Sequence, residues 1–283
     1  MKFHRNLVAA VISGLKEVLL DKKQADMTVS NLLQSNKNWG ARDRNFIADN
    51  IYNIVRYKRF YEYCLNDELF GEVSLWKLFG TKMLLNNSPL PDWKEFAELD
   101  KEKILHREAQ AKSIRKIRES IPDWLDELGE KELGAAWERE ITALNKPATF
   151  SVRVNTLKTN FDTIKKMFAD EGIEFSQTAL APEALIILSK KNFRHHAAYK
   201  NGLFEVQDIS SQLVSPMLPA KPGMNVIDGC AGAGGPPLHI AALMQNSGEI
   251  LAVDVHEKKL DEFDKRAIRA GCKIITPMLA EKL

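Results

Sequence analysis

Within this 283-residue chain, Asp228-Gly229-Cys230-Ala231-Gly232-Ala233-Gly234-Gly235 is the stretch best suited to hold a ligand. Its small residues let a backbone come close to a bound molecule, and a helix starting there offers unengaged N–H groups to polar or anionic atoms. Asp254 ends the next apolar run, where a carboxylate can accept hydrogen bonds from ribose hydroxyls. A glycine-rich loop alone is weak evidence. Loop, acidic strand end and strand–helix–strand context together point to an adenosine-type cofactor. The competing reading is a tight strand-to-helix turn with Asp254 as a cap. A dinucleotide loop would read G-x-G-x-x-G. Here Gly232-Ala233-Gly234-Gly235-Pro236-Pro237 puts proline where the third glycine belongs, which disfavours a nicotinamide cofactor.

Three layers of sequence must position this loop, and together they predict an α/β chain. Residues 1–145 read as a helical bundle. Phe3, Leu7, Val11, Leu15 and Val18 form one apolar stripe, and Phe46, Ile47, Ile51, Ile54 and Val55 form another. Further helices are predicted near Leu69–Leu85, Lys94–Ile117 and Lys131–Leu144. Ser120 is the expected cap of a helix with Pro122 in its first turn. Residues 146–206 read as a small ferredoxin-like (RRM-like) α+β module: a strand at Thr149–Asn155, a helix at Phe161–Glu171 ended by Gly172, then three short strands. Residues 207–283 read as a helix followed by strand, loop, helix, strand, helix, strand. That order is the first half of a Rossmann-like, doubly wound domain.

Composition narrows the partners. Net charge is only +2, but Lys37–Arg59 holds six basic against two acidic residues and Lys101–Glu119 seven against three. Two basic stretches in a near-neutral chain hint at a polyanion, against the plainer reading of solvated helix faces. No apolar run approaches bilayer length, and the N-terminus lacks the apolar core of a secretory signal, so the expected setting is cytoplasmic, with no membrane partner. Cys64, Cys230 and Cys272 are odd in number and far apart, which gives no disulfide framework and no metal-ligand pair. All three read as packing residues, Cys230 as a small residue buried in the turn.

Several spaced motifs agree in order with one family. Phe150-Ser151-Val152-Arg153-Val154-Asn155-Thr156-Leu157-Lys158 resembles an R-V-N-x-x-K signature. Phe204–Val214, Pro222–Ala231, Leu238–Met244 and Arg269-Ala270-Gly271 fit the same pattern. Over about the last 135 residues the chain resembles the RNA (cytosine-5) methyltransferases, the bacterial rRNA enzymes and their nucleolar relatives. The resemblance implies S-adenosyl-L-methionine as cofactor, with Cys230, Ala231, Gly232, Ala233, Gly234, Gly235 and Pro236 around its methionine part. It also implies Asp254 on the ribose and Glu281 near a later acidic position that contacts adenine. RNA, expected to be rRNA, is the implied partner, and the helical part is the implied RNA-binding domain. Arg42, Arg44 and Arg56 of the first basic stretch and Arg153 of the R-V-N motif are the expected RNA contacts.

Two departures matter. The family loop continues Gly-Gly-Lys-Thr or Gly-Gly-Lys-Ser, whereas Gly234-Gly235 is followed by Pro236-Pro237. The usual ammonium is absent and two backbone donors are lost, so a weakened cofactor site is expected. No Asp-x-Pro-Cys or Thr-Cys-Ser motif occurs, and no catalytic residue is assigned. The expectation is a chain cut before its catalytic cysteines, inactive alone, with Val226 and Ile227 on an open apolar sheet edge that invites aggregation or a missing half from a separate polypeptide. A non-catalytic RNA-binding protein is the alternative. A small-molecule methyltransferase is a third reading, which the basic helical part disfavours.

Overall fold

The structure, a computed structural model, describes residues 4–66, 71–189 and 193–282. The chain divides into two compact units, Met1–Lys146 and Pro147–Leu283. No helix among the described residues is long and apolar enough to cross a membrane.

The first unit is helical: α1 (Arg5–Leu15), α2 (Ala25–Ser35), α3 (Ala41–Arg56), α4 (Lys58–Leu65), α5 (Gly71–Leu85), α6 (Lys101–Ser113), α7 (Arg115–Arg118), α8 (Asp123–Leu133) and α9 (Trp137–Leu144). The two apolar stripes read from sequence meet in one core. Val8, Val11, Ile12 and Leu15 of α1 pack with Ile47, Ile51 and Ile54 of α3 and with Leu75, Leu78 and Phe79 of α5. Phe3, at the start of the first stripe, and Leu69, the expected start of α5, lie outside the described residues.

Local capping corrects three sequence boundaries. The helix expected over Lys94–Ile117 is broken by Asp100, whose carboxylate caps the Lys103 N–H and starts α6 afresh. The one expected over Lys131–Leu144 is split between α8 and α9 at Gly134, which has a positive φ of 50°. Ser120 is not the cap of α8. Pro122 occupies that position, and the Ser120 hydroxyl instead accepts the Arg59 N–H.

The second unit begins with β1 (Phe150–Val154), α10 (Phe161–Asp170), β2 (Phe175–Ser176), β3 (Ala184–Ile187), α11 (Ala197–Lys200) and β4 (Phe204–Val206). These strands form an antiparallel sheet in the order β2-β3-β1-β4, with Val152 opposite Leu185 on one side and Val206 on the other. Val152, Val154, Ile164, Phe168, Leu185 and Phe204 build its core. Next come α12 (Ile209–Met217), β5 (Met224–Asp228), α13 (Gly235–Leu243), β6 (Gly248–Asp254), α14 (Glu257–Ala270) and β7 (Ile275–Leu279). The parallel sheet runs β5-β6-β7, with β5 on an edge. Ile227 on that edge is 72% exposed, as expected, whereas Val226 turns inward and is half-buried against Ile240 and Ile250.

The R-V-N-x-x-K stretch fastens the two sheets together. Asn155 Nδ2 donates to Gly202 O and to Ala270 O, both at 2.8 Å. Lys158 Nζ donates to Asn201 O and Arg269 O, placing a cation at the C-terminus of α14, where the helix dipole favours it. Gly202 permits the approach: a Cβ there would lie 2.0 Å from Arg269 O.

Candidate functional site

The glycine loop connects β5 to α13, and nearly every turn of it is fastened. Asp228 Oδ1 accepts the Cys230 N–H at 3.0 Å. The Ala231 N–H donates to Val253 O of β6, and the Gly234 N–H closes back on Ala231 O. Gly234 has φ 88°, and its Cα lies against Phe263, where a Cβ would meet the ring at 1.9 Å. Gly232, with φ 55°, faces open space instead, so a ligand can come up to the backbone there. Among the described residues the amides of Ala233 and Gly235 have no acceptor. Pro236 and Pro237 follow within the first turn of α13 and contribute no N–H, so the helix start offers Gly235 alone of its usual orphan donors.

Asp254 completes the site from β6. Oδ2 accepts the Gly232 N–H at 2.8 Å and Oδ1 accepts the His256 N–H at 2.9 Å. Those amides, His256 first, hold its carboxyl below the usual carboxylate range. The expected ribose ligand is thus also a loop staple, and each oxygen keeps a lone pair for a further donor. Glu281 lies just after β7, exposed.

Cys230 departs from its expected packing role: its side chain is exposed. Cys64 is buried and desolvation raises its thiol to about 12, while Cys272 is raised to about 11 for the same reason. Neither is poised as a thiolate.

The charges behind the loop carried no role in the sequence reading. Glu205 of β4 is 1% exposed. It accepts from Arg266 (Nη2, 3.1 Å) and Arg269 (Nη2, 2.7 Å) of α14. Arg266 Nη1 then donates to Ala233 O at 2.6 Å. Gln207 Oε1 accepts from Arg153 Nε, and Gln207 Nε2 donates to Ser211 Oγ beside Gly235. Charge alternation on α14 and one acidic residue in β4 were the available signals, but pairing across distant elements has no sequence period.

Among the expected RNA contacts, Arg42 and Arg56 are exposed on α3. Arg44 uses its guanidinium on the backbone, donating to Leu33 O, Asn36 O and Trp39 O. Arg153 does not fit an RNA contact: it is 1% exposed, bound to Gln207, and burial lowers its pKa. Three of the seven basic residues of the second stretch are paired by α8 and α9. Arg115 pairs with Asp126 and Glu130, Lys116 with Asp123, and Arg118 with Glu138.

Residues 216–281 match the 16S rRNA methyltransferase RsmB/F model, and residues 121–194 match the ferredoxin-like domain of RsmF/B-like methyltransferases. Both segments thus match models of the RsmB/F methyltransferases. The chain is 33% identical over 157 residues to the probable ribosomal RNA small subunit methyltransferase B of Bacillus subtilis (strain 168), covering 55% of this chain and 35% of that protein. It is 33% identical over 149 residues to the 28S rRNA (cytosine-C(5))-methyltransferase of Mus musculus, covering 46% of this chain and 32% of that protein. The chain thus spans about a third of the length of these curated relatives. The crystal structure of PH0851 superposes with a TM-score of 0.69 over 98% of this chain and 70% of that one, at 22% identity, which speaks for the fold. Within this RsmB/F pair of segments lie the glycine loop, Asp254 and most of the ferredoxin-like sheet.

Proposed function

We propose that this chain supplies the RNA-engaging and cofactor-holding parts of an S-adenosylmethionine-dependent enzyme that methylates C5 of a cytosine in ribosomal RNA, acting in the cytoplasm. The observation that carries the reading is the pinned glycine loop, with the Ala233 and Gly235 amides left without acceptors. S-adenosylmethionine supplies the methyl group when bound. The backbone from Cys230 to Gly235, with Pro236 beside it, would hold the methionine part, and Asp254 would accept from the ribose hydroxyls with its remaining lone pairs. Arg42 and Arg56 would meet RNA phosphate.

Cytosine-C5 chemistry needs a thiolate that adds to C6 and later leaves. We assign that role to none of Cys64, Cys230 and Cys272, because two are held as thiols by burial and Cys230 lies in the cofactor loop. A second reading, RNA binding without catalysis, is favoured by the two prolines, which remove donors from the cofactor site.

Calorimetric titration of S-adenosylmethionine, with Asp254→Ala as control, separates the two. Binding that disappears in the variant supports the cofactor reading. No binding by folded wild-type protein leaves the RNA-binding reading.

A further inference from the structure

The peptide joining Ala233 to Gly234 is clamped at both ends. Its carbonyl accepts from Arg266 Nη1 at 2.6 Å, and its N–H donates to Ala231 O at 2.9 Å. The amides flanking this peptide, Ala233 and Gly235, both lack an acceptor among the described residues. Fixing the central peptide fixes the direction in which its neighbours point, because only two soft dihedrals separate consecutive planes. Arg266 is itself aimed by Glu205, which receives both its Nε and Nη2. Charge balance does not require this arginine. Arg269 already meets Glu205 through Nε and Nη2, and it stacks over Tyr199 at 4.1 Å.

We propose that Arg266, aimed by Glu205 of β4, is a positioning residue of the cofactor loop, so that the ferredoxin-like sheet is a working part of the cofactor site. The inference rests on the cofactor reading above. Its consequence is that anything displacing β4, RNA seated on the ferredoxin-like sheet included, alters cofactor affinity through one carboxylate and one arginine.

The test compares wild type with Arg266→Lys, Arg266→Gln and Glu205→Gln by amide hydrogen exchange and by titration with S-adenosylmethionine. Ala231, Gly232 and Gly234 have hydrogen-bonded amides, and their protection reports opening of the loop. In Arg266→Gln these three should exchange about tenfold faster while the β1 amides keep wild-type rates. Affinity for S-adenosylmethionine should fall about tenfold, with Arg266→Lys in between, because a single ammonium cannot bridge Glu205 and Ala233 as a fork does. Unchanged exchange of the loop in Arg266→Gln would overturn the proposal, as would faster exchange throughout the unit. Should Glu205→Gln fail to fold, the two Arg266 variants still decide. Folded wild type that binds no S-adenosylmethionine would sink the cofactor reading and the cofactor half of this inference with it. The exchange rates would then decide alone whether Arg266 holds the loop.

Discussion

The Asp254 carboxylate accepts the Gly232 amide at 2.8 Å, and its other oxygen accepts the His256 amide at 2.9 Å, so one side chain both closes the glycine loop and holds the turn that leads into α14. Asp254→Asn replaces one accepting oxygen with a donor that faces an N–H. The expected result is a loosened loop and at least tenfold weaker binding of S-adenosylmethionine, read by calorimetry.

The same pair sets a pH dependence. Both amides stabilise the charged carboxylate, so its pKa lies below the unfolded value of about 3.9. A depressed acid contributes stability that is fully present above the unfolded pKa and is lost as pH falls through the folded one. The Gly232 amide shift in NMR should therefore stay constant from about pH 8 to 4 and move only below that. A midpoint near neutrality would contradict the assignment.

Gly234 and Gly232 both have positive φ, yet they should respond differently to alanine. At Gly234 the new methyl meets the fully buried Phe263 ring, so backbone strain and overpacking add, at about 2–4 kcal/mol together. At Gly232 the methyl enters open space and only the strain remains, about 1 kcal/mol. Urea unfolding of the two variants checks the order. The ligand result should invert it, because the Gly232 methyl occupies the ligand's approach.

Periodicity made the layers legible, and local chemistry set their ends. β5 was readable to the residue because Pro222-Gly223 and Gly229 bracket a short apolar run, and α10 to within one residue, since Gly172 stops it just past Glu171. The break at Asp100 was missed because a cap and an interior polar residue look alike without the backbone around them. The loop and Asp254 were found from local order along the chain. Glu205, Gln207 and Arg266 were not, since they meet only after β4 and α14 are brought together. Arg153 misled for the same reason: a basic residue in a strand carries no mark of whether its face is covered.

Lys82 is buried among the helices of the first unit, with Nζ 2.5 Å from Asn50 Oδ1, and desolvation lowers its pKa to about 8. A lowered folded pKa gives the same sign here as at Asp254, because only the direction of the shift counts. Between pH 8 and about 10.4 the unfolded chain binds the proton that the folded one has lost, so stability rises with pH there. The span corresponds to roughly 3 kcal/mol at most. Lys82→Met should remove that slope and raise stability at pH 7 by about 1–2 kcal/mol, after the loss of one hydrogen bond to Asn50. Urea titrations of both proteins at pH 7 and pH 10 measure it.

Arg42 and Arg56 are exposed, whereas Arg153 is enclosed, and RNA binding should distinguish them. Arg42→Glu and Arg56→Glu should each weaken binding to an rRNA fragment and lower the salt slope by about 1, with the melting temperature unchanged for Arg42→Glu and slightly lower for Arg56→Glu, which loses the bond from Arg56 to Asn145 O. Arg153→Met should shift the melting temperature and leave the slope as it is.

The prolines of the loop give the sharpest reversal. Pro236 stands where the first turn of α13 would otherwise carry a free N–H, and its carbonyl already accepts from Ser215 Oγ. Pro236→Ala keeps that carbonyl and the helix, and it adds one donor beside the Ala233 and Gly235 amides. If the loop is a cofactor cradle weakened by proline, the variant should bind S-adenosylmethionine about three- to tenfold more tightly, the effect of one further hydrogen bond. Alanine gains unfolded-state entropy relative to proline, so the unliganded protein should lose about 0.4–1 kcal/mol while the liganded one loses less. Tighter binding alongside a less stable free protein is a result that a purely structural turn would not give. Equal affinity in the two proteins would mean that the amides of α13 do not face the ligand.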